Sequence, residues 1–535
     1  MLEDFSSIRL PARTHPPAYS LHKYWARKPH NVVRRALEAC GVKKGDLVVD
    51  PCCGSGVPLS EAARLGASCL GFDVNPVAVE LTRTTLCPPA ASEYRRALGA
   101  LLDDLESDYG ELFRVQGRTI RYVVHATVVD CSRCDARIPA TEARRRGRTY
   151  TCPGCEARLS FNLENLVATR QLRVVLEDGS RIESPQASSD RCAAPPSPHD
   201  VEFAPNSRIL AFSGMHTSDL FTPRTFTVLS EFASRIAKLP EALHPAARLT
   251  LTASVAQCSR LVAHRNDLRT GGPAWTVPGF WVPPLHLETN PLLHLRTRMK
   301  RFERGLTDLA ALAGRSPHHR IHAGDARDVA TKGLLGERQA ALVFLDPPYG
   351  DSVPYLEFSS VWNSFLGSVP DPAQDIAVSD RARGDGTWEN YRDGLGRIVA
   401  SLRTALRDDG RFLVTFNNRD LRAWRALLDA LQAADLRCEG AFYQHPAVVS
   451  TKAQLAPGGS YVGDIYCCFA PSSSPLGDGA VAGDAVQRAL QAAPGADDGA
   501  TRRVALLELL RANVAASHLD ELPHRIAEAR ARSLV

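Results

Sequence analysis

Ala341-Leu-Val-Phe-Leu-Asp-Pro-Pro-Tyr-Gly-Asp-Ser-Val-Pro-Tyr355 decides the architecture of this chain. Ala341–Leu345 is an apolar run of strand length without polar alternation, the pattern of a strand covered on both faces in a parallel sheet. Pro347 and Pro348 cannot continue a ladder and fix a rigid turn at its carboxyl end. Open α/β sheets bind ligands at that end. Asp346, a stiff carbonyl-bearing turn and the Tyr349 ring are therefore presented together at a candidate site.

Upstream, the apolar strand ending at Asp50 runs into Pro51-Cys-Cys-Gly-Ser-Gly56, and a helical stretch follows over 58–65. A second strand over 68–72 ends at Asp73, about twenty residues beyond the glycines, where an acidic residue accepts hydrogen bonds from ribose hydroxyls. Strand, glycine turn and helix form the layout in which backbone approaches a nucleotide-like ligand closely. The turn lacks the spacing and lysine of a triphosphate-binding loop, and it has two of the three glycines of a dinucleotide fingerprint. Before it, Tyr19, Tyr24 and Trp25 are interleaved with Lys23, Arg27 and Lys28. Such a segment stacks on bases or holds an anion, or else it packs beneath the helix expected over 31–40.

These motifs resemble the S-adenosylmethionine-dependent amino-methyltransferases. Asp50-Pro-Cys-Cys-Gly-Ser-Gly56 is similar to their cofactor loop, Asp-Pro-Phe-x-Gly-Ser-Gly, and Asp346-Pro-Pro-Tyr349 to their catalytic motif. Gly324-Asp325 resembles their third cofactor motif. The resemblance implies an α/β, Rossmann-like class I methyltransferase sheet. It places Asp50, Pro51, Cys52, Gly54 and Gly56 at the methionine end of the cofactor, Asp73 on the ribose and Asp325 on the adenine amine. Cys52 stands where the family has Phe, so either another ring fills that space or the cofactor fit is looser. In the catalytic motif, Asp346 and the Pro347 carbonyl would accept the hydrogens of a base amino group and free its lone pair. Tyr349 would stack on the flipped-out base. Asp rather than Ser in the first position favours adenine over cytosine.

The third strand is expected at 319–323, so residues 90–315 must leave and re-enter the sheet, far beyond a normal connection. Within them, Cys131-Ser-Arg-Cys134 and Cys152-Pro-Gly-Cys155 have the spacing of a closed, structural four-thiolate zinc site on a small β ribbon. Arg144, Arg145, Arg146 and Arg148 lie between the pairs and are candidate phosphate contacts, as is the basic face over 296–304. Each of these charge runs reads equally as a solvated face. Phe280 and Trp281, with Trp275, line a target pocket or pack a loop.

The organisation expected is 1–89, first half of a methyltransferase domain; 90–315, an insertion with a zinc ribbon at 120–165 and a target-recognition part at 200–315; and 316–471, the catalytic half. A linker over 472–500 and a helical tail over 501–535 follow, the tail being a partner-docking element or a cap. The cysteine pairs and the segment from Tyr349 through Tyr355 to Leu366 further resemble adenine-specific DNA methylases that carry a zinc ribbon, enzymes suited to restriction or phage defence. DNA is the expected partner, with Tyr355 a candidate contact, and RNA the alternative. A catalytically silent nucleic-acid-binding subunit is the reading outside enzymes.

The 535 residues, 44% hydrophobic and 23% charged, are those of an ordinary soluble protein, and a net charge of +5 carries no global argument for nucleic acid. Fourteen cysteines without a disulfide framework, no apolar run of membrane length and no secretory signal point to a cytoplasmic protein.

Overall fold

The computed structural model describes residues 5–147, 149–183, 196–264, 279–310, 319–328, 333–334, 338–368, 370, 372–379, 387–447, 462–492 and 497–533. Arg148, Trp275 and residues 448–461 lie outside them.

A seven-stranded sheet forms the centre. Its strands are β1 (Leu47–Asp50), β2 (Ser68–Asp73), β12 (Arg320–Ala323), β13 (Ala340–Leu345), β14 (Leu406–Phe416), β15 (Leu436–Gln444) and β16 (Asp464–Pro471), in the order β12-β2-β1-β13-β14-β16-β15. The first five are parallel and β16 runs antiparallel to both its neighbours. The strand order reverses between β1 and β13, which pair Val48 with Leu342 and Val49 with Val343. The carboxyl ends of those two strands, Asp50 and the Leu345–Asp346 step, therefore open side by side at a topological switch point.

β13 is buried along its whole length because helices cover both faces. On one face, α1 (His30–Ala39) and α2 (Val57–Arg64) pack on Val48, Leu342 and Phe344. On the other, α9 (Thr387–Thr404) and α10 (Leu421–Ala433) pack on Val49, Val343 and Leu345. The residues after β16 join that second face. Residues 472–500, composed like a linker, contain helix α11 (Gly479–Ala492), whose Ala482, Ala485, Val486 and Ala489 are buried. Small side chains at helical spacing allow close packing that composition alone does not reveal. α12 (Asp498–Arg511) and α13 (Leu522–Ser533) complete a cap on the sheet.

The insertion leaves after α3 (Pro76–Leu86) through α4 (Ala91–Tyr109) and returns through α7 (Pro291–Leu309), and these two helices pack together. Between them, β4 (Arg118–Asp130) pairs with β3 (Arg114–Val115), β5 (Arg137–Pro139), β9 (Leu166–Leu176) and β11 (Leu285–Thr289), and β10 (Arg181–Glu183) pairs with β9. A ribbon of β6 (Arg144–Arg146), β7 (Thr149–Thr151) and β8 (Arg158–Leu159) projects from this sheet. α5 (Pro223–Arg235), α6 (His244–Cys258) and α7 share one core with α3 and with α8 (Tyr355–Phe365), the helix that follows the Asp346 turn. Among the described residues, no helix is long and apolar enough to cross a membrane.

Candidate active site

The turn after β1 is shaped by two left-handed residues, Gly54 at φ +48° and Gly56 at φ +73°. A Cβ on Gly56 would lie 2.8 Å from the Thr82 hydroxyl of α3, so only glycine allows this approach. The turn is tied to the end of β2. Asp73 accepts the Gly54 N–H and the Asn75 N–H, each at 2.8 Å, and the Phe72 carbonyl accepts the Cys53 N–H at 2.9 Å. Asp50 accepts the Cys52 N–H at 3.1 Å through Oδ1, whereas its buried Oδ2 has no hydrogen-bond partner among the described residues. Burial pushes the Asp50 carboxyl well above the usual range. Burial also raises Asp73 to about 7, against the pull of its two backbone N–H donors.

Beyond β13, three donors converge on one oxygen of Asp346. Oδ1 takes the Thr415 hydroxyl at 2.7 Å, the Tyr349 hydroxyl at 2.9 Å and the Lys28 ammonium at 3.2 Å. Oδ2 has no partner among the described residues. The Lys28 side chain is 3% exposed, also reaches Asp464 Oδ2 at 3.2 Å, and donates to the Tyr349 hydroxyl. Its Nζ lies 4.6 Å from the centre of the Tyr349 ring, which meets Phe416 edge-on. Burial lifts the Asp346 carboxyl above its ordinary range, Lys28 draws it back, and Asp464 adds to the rise. Burial works against the charge on Lys28, but Asp346 and Asp464 outweigh it, and the ammonium is held above its ordinary value. The turn itself is pinned by Tyr391 donating to the Pro348 carbonyl at 2.8 Å and Asn418 donating to the Tyr349 carbonyl at 2.9 Å.

Both strand ends open into one cleft. It is lined by five carboxylates, Asp50, Asp73, Asp325, Asp346 and Asp375, and among the described residues by one cation, Lys28. Cys52, Gly54, Pro348, Tyr24 and Tyr355 also line it, and the two tyrosine rings stack with centres 6.0 Å apart. So acidic a cleft, with an orphaned carboxylate oxygen at Asp50, fits a ligand carrying an ammonium and a second positive centre. Asp325 is partly committed, since it accepts the Arg327 N–H at 2.8 Å and its guanidinium at 2.5 Å. Pro51 is buried and lines the cleft, Pro347 is buried outside the lining, and Tyr349 faces Lys28 and Phe416 rather than the cleft.

The four paired cysteines come together 24 residues apart or less. The Sγ atoms of Cys131, Cys134, Cys152 and Cys155 all lie within 4.8 Å of one another, with Cys131–Cys155 at 3.5 Å and Cys134–Cys152 at 3.7 Å. Four thiolates about 2.3 Å from one zinc ion would stand roughly 3.8 Å apart, so the cluster can hold that ion. Each pair forms the same knuckle. Asp135 and Glu156, at φ +57° and +62°, donate their N–H groups to the carbonyls of Cys131 and Cys152 at 2.9 and 3.0 Å.

Residues 4–84 match the N6/N4 methyltransferase family model, described as DNA methylase. The match takes in Lys28, β1, the glycine turn and β2. The chain is a methyltransferase resembling the adenine DNA methylases. No curated protein matches this methyltransferase. A similar solved structure is the rRNA methyltransferase aviRa from Streptomyces viridochromogenes, 13% identical over 75% of this chain and 79% of that one, with a TM-score of 0.22.

The basic segments of the methyltransferase divide. On the ribbon, Arg144 pairs with Glu156 at 3.2 Å, Arg145 stands over Tyr150, and Arg146 is exposed. On α7, Arg296 is bound to Asp103 and Glu106 of α4, both at 2.7 Å, and so holds the two ends of the insertion together. Phe280 is buried against Phe203, and Trp281 is 38% exposed. Trp25 stacks on Trp362 of α8 with centres 4.9 Å apart, so the amino-terminal aromatic segment packs into the core while Tyr24 reaches the cleft. The sequence marks Lys28 only as one of several cations in a segment that can hold an anion, and Asp464 carries no signal, because their meeting with Asp346 depends on the whole sheet being assembled.

Proposed function

We propose that this methyltransferase moves the methyl group of S-adenosylmethionine to the exocyclic amine of adenine in DNA, on a base turned out of the duplex. The observation that carries the reading is Asp346 at the switch point, held by three donors on Oδ1 while Oδ2 remains unpaired beside the glycine turn. We assign the cofactor's ammonium to Asp50, its ribose to Asp73, its methionine end to the turn at Cys52–Gly56 and its adenine amine to Asp325. The bound cofactor supplies an electrophilic methyl on a sulfonium.

An exocyclic base amine is a poor nucleophile because its lone pair is delocalised into the ring. Asp346 Oδ2 and the Pro347 carbonyl accept its two hydrogens, which favours a tetrahedral nitrogen whose lone pair is free to form the new N–C bond as the S–CH3 bond breaks and its electron pair stays on sulfur as a neutral thioether. Once that bond has formed, the nitrogen sheds its extra proton towards Asp346 or solvent. The chain's contribution is positioning and a preorganised field, with no strong base required. Support for adenine is the Asp in the first motif position, and support for DNA is the description of the family matched by residues 4–84. The insertion at 90–315 is assigned to target recognition, with zinc on the four cysteines and Arg144, Arg145 and Arg146 on phosphates.

The test is transfer of labelled methyl from S-adenosylmethionine to DNA and to RNA, followed by nucleoside analysis, with Asp346→Ala as control. N6-methyladenine in DNA, absent with the variant, is the expected result. Label on RNA alone refutes the DNA assignment, and cofactor binding without transfer to either refutes the enzyme reading.

A further inference from the structure

Lys28 is not part of the motifs that carry the proposed reaction, yet it is the most deeply placed charge beside them. We propose that Lys28 is a positioning residue that keeps Asp346 ionised, pinning the carboxylate by Oδ1 so that Oδ2 stays available as an acceptor. The inference rests on the proposed methyl transfer and extends it.

The geometry requires a compensating charge here. Asp346 shares its surroundings with Asp464 of β16, bound to the same ammonium, and with Asp50 of β1, which faces the same cleft. Cys52, Tyr349, Tyr355 and Tyr466 face it as groups that would be anionic if they ionised. Thr415 offers a neutral hydroxyl. Against all of these, Lys28 is the cation in contact, 3.2 Å from each of two carboxylates and almost wholly out of water. A buried carboxylate without a counter-charge takes up a proton instead. Protonated Asp346 would present one hydroxyl donor in place of an acceptor, and the base amine would lose the partner that localises its lone pair. The side chain's hold on Tyr349 and Asp464 fixes the ammonium at one point, and its backbone directly precedes Pro29, the cap of α1.

The experiment compares the pH profile of methyl transfer in the full chain, Lys28→Met, Lys28→Arg and Lys28→Met with Asp464→Asn. In Lys28→Met the acid limb should move up by one pH unit or more, giving a loss of about tenfold or more at pH values below both limbs that is recovered as pH rises past the variant's limb. Lys28→Arg should keep its limb near the parent's, and removing Asp464 should bring the Lys28→Met limb back down, a rescue that loss of packing would not show. A Lys28→Met limb coincident with the parent's, or one unmoved by Asp464→Asn, overturns the proposal. A readout independent of catalysis is the infrared carbonyl band of a protonated carboxyl, taken as the difference between each protein and its Asp346→Asn form. The band should persist to higher pH in Lys28→Met, or in Lys28→Gln if the methionine variant does not fold. Identical titration in both backgrounds overturns the role of Lys28, whereas a parent chain that transfers no methyl refutes the proposed function and leaves the infrared result to decide this inference.

Discussion

Tyr349→Phe removes a single oxygen and separates two roles for that residue. If the ring serves only as a surface for the flipped base, phenylalanine replaces it without loss. The structure puts the weight on the hydroxyl, which donates to Asp346 Oδ1 at 2.9 Å and receives the Lys28 ammonium. A hydrogen bond to a charged acceptor contributes about 1.5–3 kcal/mol. Thr415 at 2.7 Å and Lys28 at 3.2 Å remain on the same oxygen, so the lower end applies, roughly 1.5 kcal/mol or about tenfold in rate. The loss should fall on kcat, because the orientation of Asp346 matters most when the base nitrogen becomes tetrahedral. Cofactor affinity should be unchanged, since Tyr349 is not in the cleft lining. Single-turnover methyl transfer at saturating DNA and cofactor, with the cofactor Kd measured in parallel, gives both quantities. Full kcat in Tyr349→Phe, together with collapse in Tyr349→Ala, would refute the anchoring role.

Gly56→Ala should destabilise the chain by about 2–5 kcal/mol, from a left-handed backbone worth roughly 1–2 and overpacking worth roughly 1–3, because its Cβ would meet Thr82 and Thr85 oxygens at 2.8 and 2.9 Å. Gly54→Ala should be milder in chemical denaturation, since its nearest neighbour is the edge of the Tyr24 ring at 3.2 Å. Metal analysis should find one zinc per chain, and Cys134→Ser or a chelator should remove hydrogen-exchange protection from β6–β8 while the central sheet stays protected, the ion contributing on the order of 10–16 kcal/mol to the ribbon. Retained protection would refute the metal assignment. Cofactor affinity should rise with pH and level off above about 7, the value to which burial raises Asp73. A folded carboxyl with a raised pKa favours the native chain below the unfolded value, and that benefit is lost as pH climbs through the folded value. A bound cation lowers the pKa again, so binding releases a proton in that window, and calorimetry in buffers of different ionisation enthalpy reads it. An affinity independent of pH would show that Asp73 and Asp50 stay ionised without ligand.

What could be read in the sequence was what local chemistry determines. Ala341–Leu345 ends in two prolines, and the strand Ala340–Leu345 ends there too. Cys131–Cys134 and Cys152–Cys155 each close a knuckle from within their own few residues, so spacing was enough to group them. Lys28 could not be assigned, because its partners Asp346 and Asp464 are 318 and 436 residues away, and only β13, β14 and β16 in register bring them together. Tyr349 shows the same limit. Its motif suggested a free ring, whereas the hydroxyl is engaged by Asp346 within the motif and by Lys28 far outside it. Alanine-rich α11 was hidden by neighbouring proline and glycine, whose signal for a connector outweighed four small side chains at helical spacing.

The insertion is more than a module hung from a loop, and α8 shows why. This helix begins at Tyr355, just beyond the Asp346 turn, and its side chains reach three ways. Ser359 Oγ accepts from the Asn75 side-chain amide at 2.8 Å, and Asn363 Nδ2 donates to Asn75 Oδ1 at 3.1 Å, which ties α8 to the residue whose N–H holds Asp73. Trp362 stacks on Trp25, three residues before Lys28. Val361, Trp362 and Phe365 lie in the core formed by the inserted helices. Leaving the buried Asn75–Asn363 pair unmatched costs about 1–3 kcal/mol for each stranded group, so α8 and the end of β2 move together or not at all. If the insertion has the target-recognition role proposed above, a displacement of its helices would be transmitted through α8 to Tyr355 in the cleft and to the Asp73 turn. Target engagement and cofactor geometry then become two readings of one helix position. Asn363→Leu, which breaks the amide pair but keeps the packing volume, should weaken the dependence of cofactor affinity on bound DNA more than it weakens either affinity alone, and equal losses in all three would show that α8 only fills space.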